Sequence, residues 1–263
     1  MTGDAMIAAQ AWASATRAHG RRAWLAAAAV ACGTMLAVAP SPSAGAAADP
    51  AASASAATEP ISEAEQLLFM HPHLATVHAS RTLTYAYSAQ AAASASAPDR
   101  ATLALRPRAD GTCCAVHAEY LSGEMAVRLP DLDDATANPI LLYFLEAEVR
   151  RLQRTTNGQS AHFRRQIRIA LATEARVTDA TVRWNGKDVP GHAVRVAPFL
   201  DDPYRSRFER EAATEYVFLL SDEVPGGVAA MSATLPGADA KNAPLELRRL
   251  VLEDPQPAPP AKP

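Results

Sequence analysis

Residues 138–171 read NPILLYFLEAEVRRLQRTTNGQSAHFRRQIRIAL. Leu141, Leu145, Val149 and Leu152 recur at helical spacing and form one apolar stripe. Asn138 suits an N-cap, and Pro139 suits the first helical position, where its missing amide costs nothing. Asn157-Gly158 is a natural stop. Ser160 then caps a second helix, whose Phe163, Ile167, Ala170 and Leu171 again share one face. The short link between the two predicts an antiparallel helical hairpin.

The flanking sequence has a different period. TLTYAYS (82–88), ATLALRP (101–107), CCAVHAEYLS (113–122) and EMAVRLP (124–130) alternate apolar with polar residues and read as strands, with Asp110-Gly111 marking a hairpin turn. The low-complexity run 89–99 reads as a loop or edge. Beyond the helices, residues 175–199 form a hairpin around Asn185-Gly186, a pair that tolerates the positive φ of a type I′ turn. Asp202-Pro203 opens a third short helix. EYVFLLS (215–221), GVAAMSATLP (227–236) and PLELRRLVLE (244–253) are the closing strands, the first two joined through VPGG. Upstream, Ser62 and Glu65 form a capping box for a short helix ending before Pro72.

Short links favour antiparallel pairing. A one-sided sheet and one-sided helices bury their apolar faces against each other. The expected fold is therefore α+β: a curved antiparallel sheet, an incomplete barrel, with the helical hairpin on its concave face and its arginines turned outward. The LTYAYS strand, the two central helices and the YVFLLSDEVPGGVAAMSATLP hairpin (216–236) together give a layout over most of the folded region. It resembles that of the bacterial outer-membrane lipoprotein carrier proteins and related uncharacterised periplasmic proteins. The resemblance implies an apolar cavity between sheet and helices. It carries over no individual functional residue.

The N-terminus reads as an export signal. Arg17, Arg21 and Arg22 precede an apolar run over residues 23–39, and small residues follow. Cleavage is placed near Ala48. The run is short and alanine-rich for a membrane span, so no stable transmembrane anchor is expected afterwards. RRAWL loosely resembles a twin-arginine signal, and Cys32 lies in a faint lipobox-like context. Residues 49–60 read as a disordered linker, 61–253 as a single domain and 254–263 as a disordered proline-rich tail. Losing residues 1–48 removes three arginines and Asp4, which moves the formal net charge from −3 to −5. An acidic mature chain is a poor nucleic-acid binder. The expected location is the periplasm or outside the cell.

Catalytic signatures are missing: G-x-S-x-G, S-x-x-K, H-E-x-x-H and the P-loop do not occur. Ser221-Asp222 and scattered histidines make a triad only on paper. Cys113 and Cys114, with His117 and the nearby His71, His73 and His78, do not match a zinc spacing. Structural thiols are favoured, with a redox-labile pair or a metal site as alternatives, because adjacent strand residues point to opposite faces. No cofactor and no metal are assigned. Two binding surfaces are proposed from residue type. Tyr85, Tyr87, Tyr143, Phe144, Phe163, Tyr216 and Phe218 line an apolar pocket for a lipid or acyl ligand, or fill the core. Arg150, Arg151, Arg154, Arg164, Arg165 and Arg168 form a basic helical face for anionic headgroups or an envelope protein partner, or a solvated surface. The functional expectation is a non-enzymatic envelope protein that binds an apolar ligand, with a protein-interaction module as the alternative.

Overall fold

The computed structural model describes residues 60–91, 94–237 and 243–253. The export signal, its cleavage site, Cys32 and most of the two predicted disordered segments lie outside the described residues. Strands β1 (Arg81–Ala91), β2 (Ser94–Ala95), β3 (Asp99–Arg106), β4 (Ala115–Tyr120), β5 (Arg176–Trp184), β6 (Lys187–Val196), β7 (Glu215–Leu220), β8 (Val228–Leu235) and β9 (Glu246–Leu252) form one antiparallel sheet. Its order is β4-β3-β1-β9-β8-β7-β6-β5, with β2 paired to β1. The last strand therefore inserts at the centre, beside the first. The sheet is curved and open, not closed into a barrel, and the helical hairpin packs on its concave face.

One inward row builds the core. Tyr85 faces Leu252, Tyr87 faces Leu250, Leu250 faces Met231, Met231 faces Phe218, and Phe218 faces Val194. All are buried, as period-2 alternation requires. Against this row lies α2 (Ile140–Thr156), followed antiparallel by α3 (Ser160–Thr173). Leu141, Leu145, Val149 and Leu152 are each no more than 1% exposed, and each such burial is worth about 1.5–3 kcal/mol. The link bends because Asn157, not Gly158, takes the left-handed conformation, with φ 53°. Asn185 and Gly186 also have positive φ, 48° and 71°, and set the β5–β6 hairpin.

Three local expectations change. Residues 124–130 form no strand: a 3-10 turn at Gly123–Met125 leaves only an isolated Tyr120–Val127 bridge. Ser160 is the first residue of α3 and not its cap. The third helix shrinks to a 3-10 turn at Arg205–Arg207 and α4 (Glu209–Ala212). There Asp202 accepts from Tyr204 N at 2.7 Å and from His162 Nε2 at 2.7 Å, so its carboxylate is shared between the turn and α3. The capping box stands: Ser62 Oγ accepts from Glu65 N, and the Glu65 carboxylate accepts from Ser62 N. The first helix, α1, runs from Glu63–Glu65 into a wider π turn at Gln66–Met70.

Asn138 joins four segments. Its side-chain amide donates to the Tyr85 hydroxyl at 3.1 Å and to the Gly226 carbonyl at 2.8 Å. Its Oδ1 accepts from Ile140 N, the first residue of α2, at 3.1 Å; Pro139, and not Asn138 as expected, holds the N-cap position. Its backbone N–H donates to His73 Nδ1 at 3.2 Å. At 2% exposure, no water replaces these bonds. Asn138→Ala removes the donor to the Gly226 carbonyl and to the Tyr85 hydroxyl and leaves the Ile140 amide without its acceptor, and the expected loss is about 2–4 kcal/mol in urea unfolding. A loss below about 0.5 kcal/mol, the scale of an ordinary surface change, refutes the role.

His73 adds a pH dependence. Burial, and then the neighbouring His71, push its pKa down from 6.5 to about 4. Between those values the unfolded chain binds a proton that the folded chain refuses, so stability is complete above about pH 6.5 and drains as pH falls toward 4. The expected loss across that window is about 3 kcal/mol. His73→Gln should flatten it, and an unchanged pH profile in that variant would falsify the assignment.

Candidate functional site

The seven aromatic residues do not share one pocket. Phe144 packs edge-on to Tyr216 and Phe218, with ring centroids 6.5 and 6.1 Å apart. Phe163 joins Phe199 and Phe208 in a second cluster, and Tyr143 packs on Tyr120. Tyr85 is held by Asn138 and donates to the Val228 carbonyl at 3.2 Å. These six are buried core residues. Tyr87, buried in the inward row, is the one that also borders a large pocket.

The arginines divide as well, and the expectation that they all face outward is corrected. Arg151 is 6% exposed. Arg150 and Arg164 both bind the buried Glu146, at 3.1 and 2.8 Å. Arg154 is exposed and reaches Met125 Sδ at 3.4 Å. Arg165 and Arg168 are exposed on α3. The stripe of α2 is wider than a surface helix requires: Tyr143, Phe144, Glu146, Ala147 and Glu148 are buried too. Such a helix has no single outer face for its charges.

Those inward charges meet a charged strand. The Glu148 carboxylate accepts from Arg248 Nε at 2.8 Å and Nη2 at 2.9 Å, a bidentate fork, and from Arg151 Nε at 3.2 Å. Arg151 Nη2 donates to Glu211 on α4 at 2.8 Å. Arg248 is 1% exposed and Glu148 2%. Burial pushes the Glu148 carboxyl up, but Arg151 and Arg248 outweigh it and hold the group below its usual range. Each guanidinium pKa is also raised: burial opposes the charge, and the paired carboxylates, Glu148 foremost, more than compensate. Arg248 Nη1 lies 2.8 Å from Glu246 Oε1, at an angle that makes no hydrogen bond.

This cluster floors a pocket of about 740 Å3. Tyr87 and Ala89 of β1, and Glu246 and Arg248 of β9, supply the sheet side. Arg151 and residues 155–157 supply the end of α2. Arg207 to Glu211 supply the far wall, with Met125 and Ser96 at the edge. Burial pushes the Tyr87 hydroxyl up to about 12, with Glu148 adding to it, so it is a neutral hydrogen-bonding group at neutral pH.

The sequence carried two signals for this site. Glu148 sits seven residues after Leu141, in phase with the apolar stripe. Arg248 alternates in phase with Leu250 and Leu252 on an inward face. A buried acid in one element and a buried base in another form a complementary pair.

The other candidates are occupied locally. Ser221 Oγ donates to the Pro190 carbonyl at 2.7 Å, and Asp222 pairs with His71 at 2.8 Å. His117 pairs with Asp131 at 2.7 Å. Among the described residues no group of three or more His, Cys, Asp or Glu is arranged to hold a metal ion. The Cys113 and Cys114 sulfurs lie in contact across a cis peptide. Strand β4 begins only at Ala115, so strand alternation does not govern the pair. No described helix is long and apolar enough to cross a membrane. The chain matches no protein-family model and no curated protein sequence.

Glu148→Gln removes the charge shared by two buried guanidiniums. The expected destabilisation is about 3–5 kcal/mol. Because the folded carboxyl is depressed, its contribution is present above the unfolded value of 4.5 and is lost as pH falls through the lower folded value. The variant should lack that part of the acid limb while keeping the His73 portion above it. A variant as stable as the parent at pH 7 would show that the cluster contributes nothing.

Proposed function

We propose that the protein is an exported, non-enzymatic binding protein of the cell envelope whose ligand occupies the pocket floored by Tyr87, Arg151 and Arg248. One observation carries this reading. A pocket of about 740 Å3, the size range of small-molecule sites, opens onto guanidiniums whose orientation is fixed from beneath by Glu148. Buried, paired side chains lose little entropy when a ligand arrives, so the floor is preorganised. The basic N-terminal segment followed by an apolar run supports export.

The aromatic set supports a wholly apolar ligand less well, because six of its seven members are engaged in the core. An acyl chain would find Ala89, Met125 and Phe208 in the pocket, and the charged floor would require a polar end. The arginine-face alternative retains Arg154, Arg165 and Arg168, since Arg150, Arg151 and Arg164 are bound internally.

Ala89→Trp places an indole in the pocket from the inward row of β1. Native mass spectrometry of the mature chain, purified from periplasm without detergent, should show a non-polypeptide mass that this variant lacks. A bare polypeptide in both preparations removes the basis for the reading.

A further inference from the structure

The sheet has two edges, and the chain treats them differently. Along β4 a returning segment covers the edge. Val116 and Leu132 exchange both backbone bonds, at 2.7 and 3.0 Å, and Cys114 and Ala135 exchange theirs at 2.9 Å. Val127 N donates to the Tyr120 carbonyl at 3.0 Å. At the opposite edge, β5 has β6 on one side and no strand on the other among the described residues. α1, tied through Ser62 to the Leu171 carbonyl at the end of α3, packs against part of β5. Thr178, Asp179, Thr181 and Arg183 are nevertheless exposed. β5 is nine residues long, with no proline and an unbroken register. A long, regular edge of this kind is a template for another strand.

The hairpin turn decides which backbone groups face outward. Asn185 and Gly186 both have positive φ, so Trp184 and Lys187 close the turn as a hydrogen-bonded pair. Such pairs alternate along an antiparallel ladder. Val182 and Ala180 therefore bond to β6, while the N–H and C=O groups of Asp179, Thr181 and Arg183 point away from it. Pro190 agrees with this phase. It stands opposite Thr181, has no N–H, and its carbonyl accepts from Ser221 Oγ on the far side.

A second copy of the same strand fits these groups in one register above the others. Centring an antiparallel pair on Thr181 sets Asp179 opposite Arg183 at both ends. Centring it on Asp179 or Arg183 sets like charges together, and centring it on Ala180 or Val182 leaves both charges without an opposite. The side chains are accessible: Asp179 is 99% exposed and Arg183 67%. Each has a neighbour on β6, Arg183 with Asp188 at 3.0 Å and Asp179 with His192 at 3.5 Å. Self-pairing extends these contacts into a row in which carboxylate and cation-forming groups alternate. On the other face the same register places Ala180 beside Val182 and Thr178 beside Trp184, β-branched and aromatic pairs that favour strand pairing.

We infer that the protein forms a two-fold dimer in which β5 of each copy pairs antiparallel with β5 of the other about Thr181, joining the two sheets into one. The contact is isologous, so Asp179 meets the partner's Arg183 twice. No residue of β5 lines the pocket, and this surface is independent of the binding reading.

The test is sedimentation velocity of the mature chain over a wide concentration range, where a monomer–dimer equilibrium is expected. Asp179→Arg and Arg183→Asp each set like charges opposite each other at both contacts, and each variant alone should dimerise about tenfold more weakly. Mixing the two variants puts a guanidinium opposite a carboxylate at every such contact, and the dimer should return. Thr181→Cys places equivalent sulfurs across the axis, at the Cα separation of about 5.5 Å of a hydrogen-bonded pair, which a disulfide spans. Oxidation should link those chains, and should link Arg183→Cys chains no more than the parent. Circular dichroism and thermal unfolding check that each variant is folded, and if the charge variants are not, linkage through Thr181→Cys decides. A monomer at every concentration overturns the inference. So does a dimer that both reversals leave intact, one that mixing fails to restore, or a Thr181→Cys chain that links no more than the parent.

Discussion

Glu148 is a carboxylate sealed between a helix and the middle of a sheet, and the architecture depends on its two guanidinium partners. Desolvating an isolated ion costs several kcal/mol, so a lone Glu148, Arg151 or Arg248 would be intolerable here. Together they form a fork and a side contact that satisfy the carboxylate. The arrangement fixes the rotation of α2 about its axis, because only one orientation brings residue 148 over residue 248. It also fixes the register of β9, because a slip of one residue would present Leu247 or Arg249 in place of Arg248. Apolar packing alone tolerates sliding more readily than a bidentate pair does.

A second polar anchor operates at the start of α2. Asn138 ties the helix start to β1, to the turn before β8 and to the segment around His73. The helix is thus tied at its start and at its middle, and the pocket lies beside the charged cluster and the last turn of α2. The groups that orient the helix also floor the cavity, so stability and binding share residues. Arg207 and Arg210 are exposed at the pocket and are freer to vary without cost to the fold.

The element order was legible from period and punctuation. The helical stripe over 141–152, the alternating strands, the Asn185-Gly186 turn and the Ser62–Glu65 box all report local rules that tertiary context did not override. Residues 124–130 misled because alternation was present without a partner: β4 already pairs with β3, and a 3-10 turn diverts the chain. The third helix misled because Asp202 divides its carboxylate between Tyr204 N and His162. The arginines were judged by residue type. Arg151 and Arg154 look alike in sequence, yet one is buried beside Glu148 and the other is exposed. The phase of Glu148 and Arg248 was readable, but only as two separate anomalies.

The sequence by itself determined that the domain is α+β, that its sheet is antiparallel and that α2 and α3 form a hairpin. Hydrophobic period, caps and turn residues act over a few neighbouring positions and need no distant partner. Only the tertiary structure decided that the last strand sits beside the first, that Glu148 meets Arg248 across a separation of one hundred residues, and that a pocket opens beside them. Those outcomes depend on which far-apart surfaces exclude water together, and the pairing of buried charges follows from that closure.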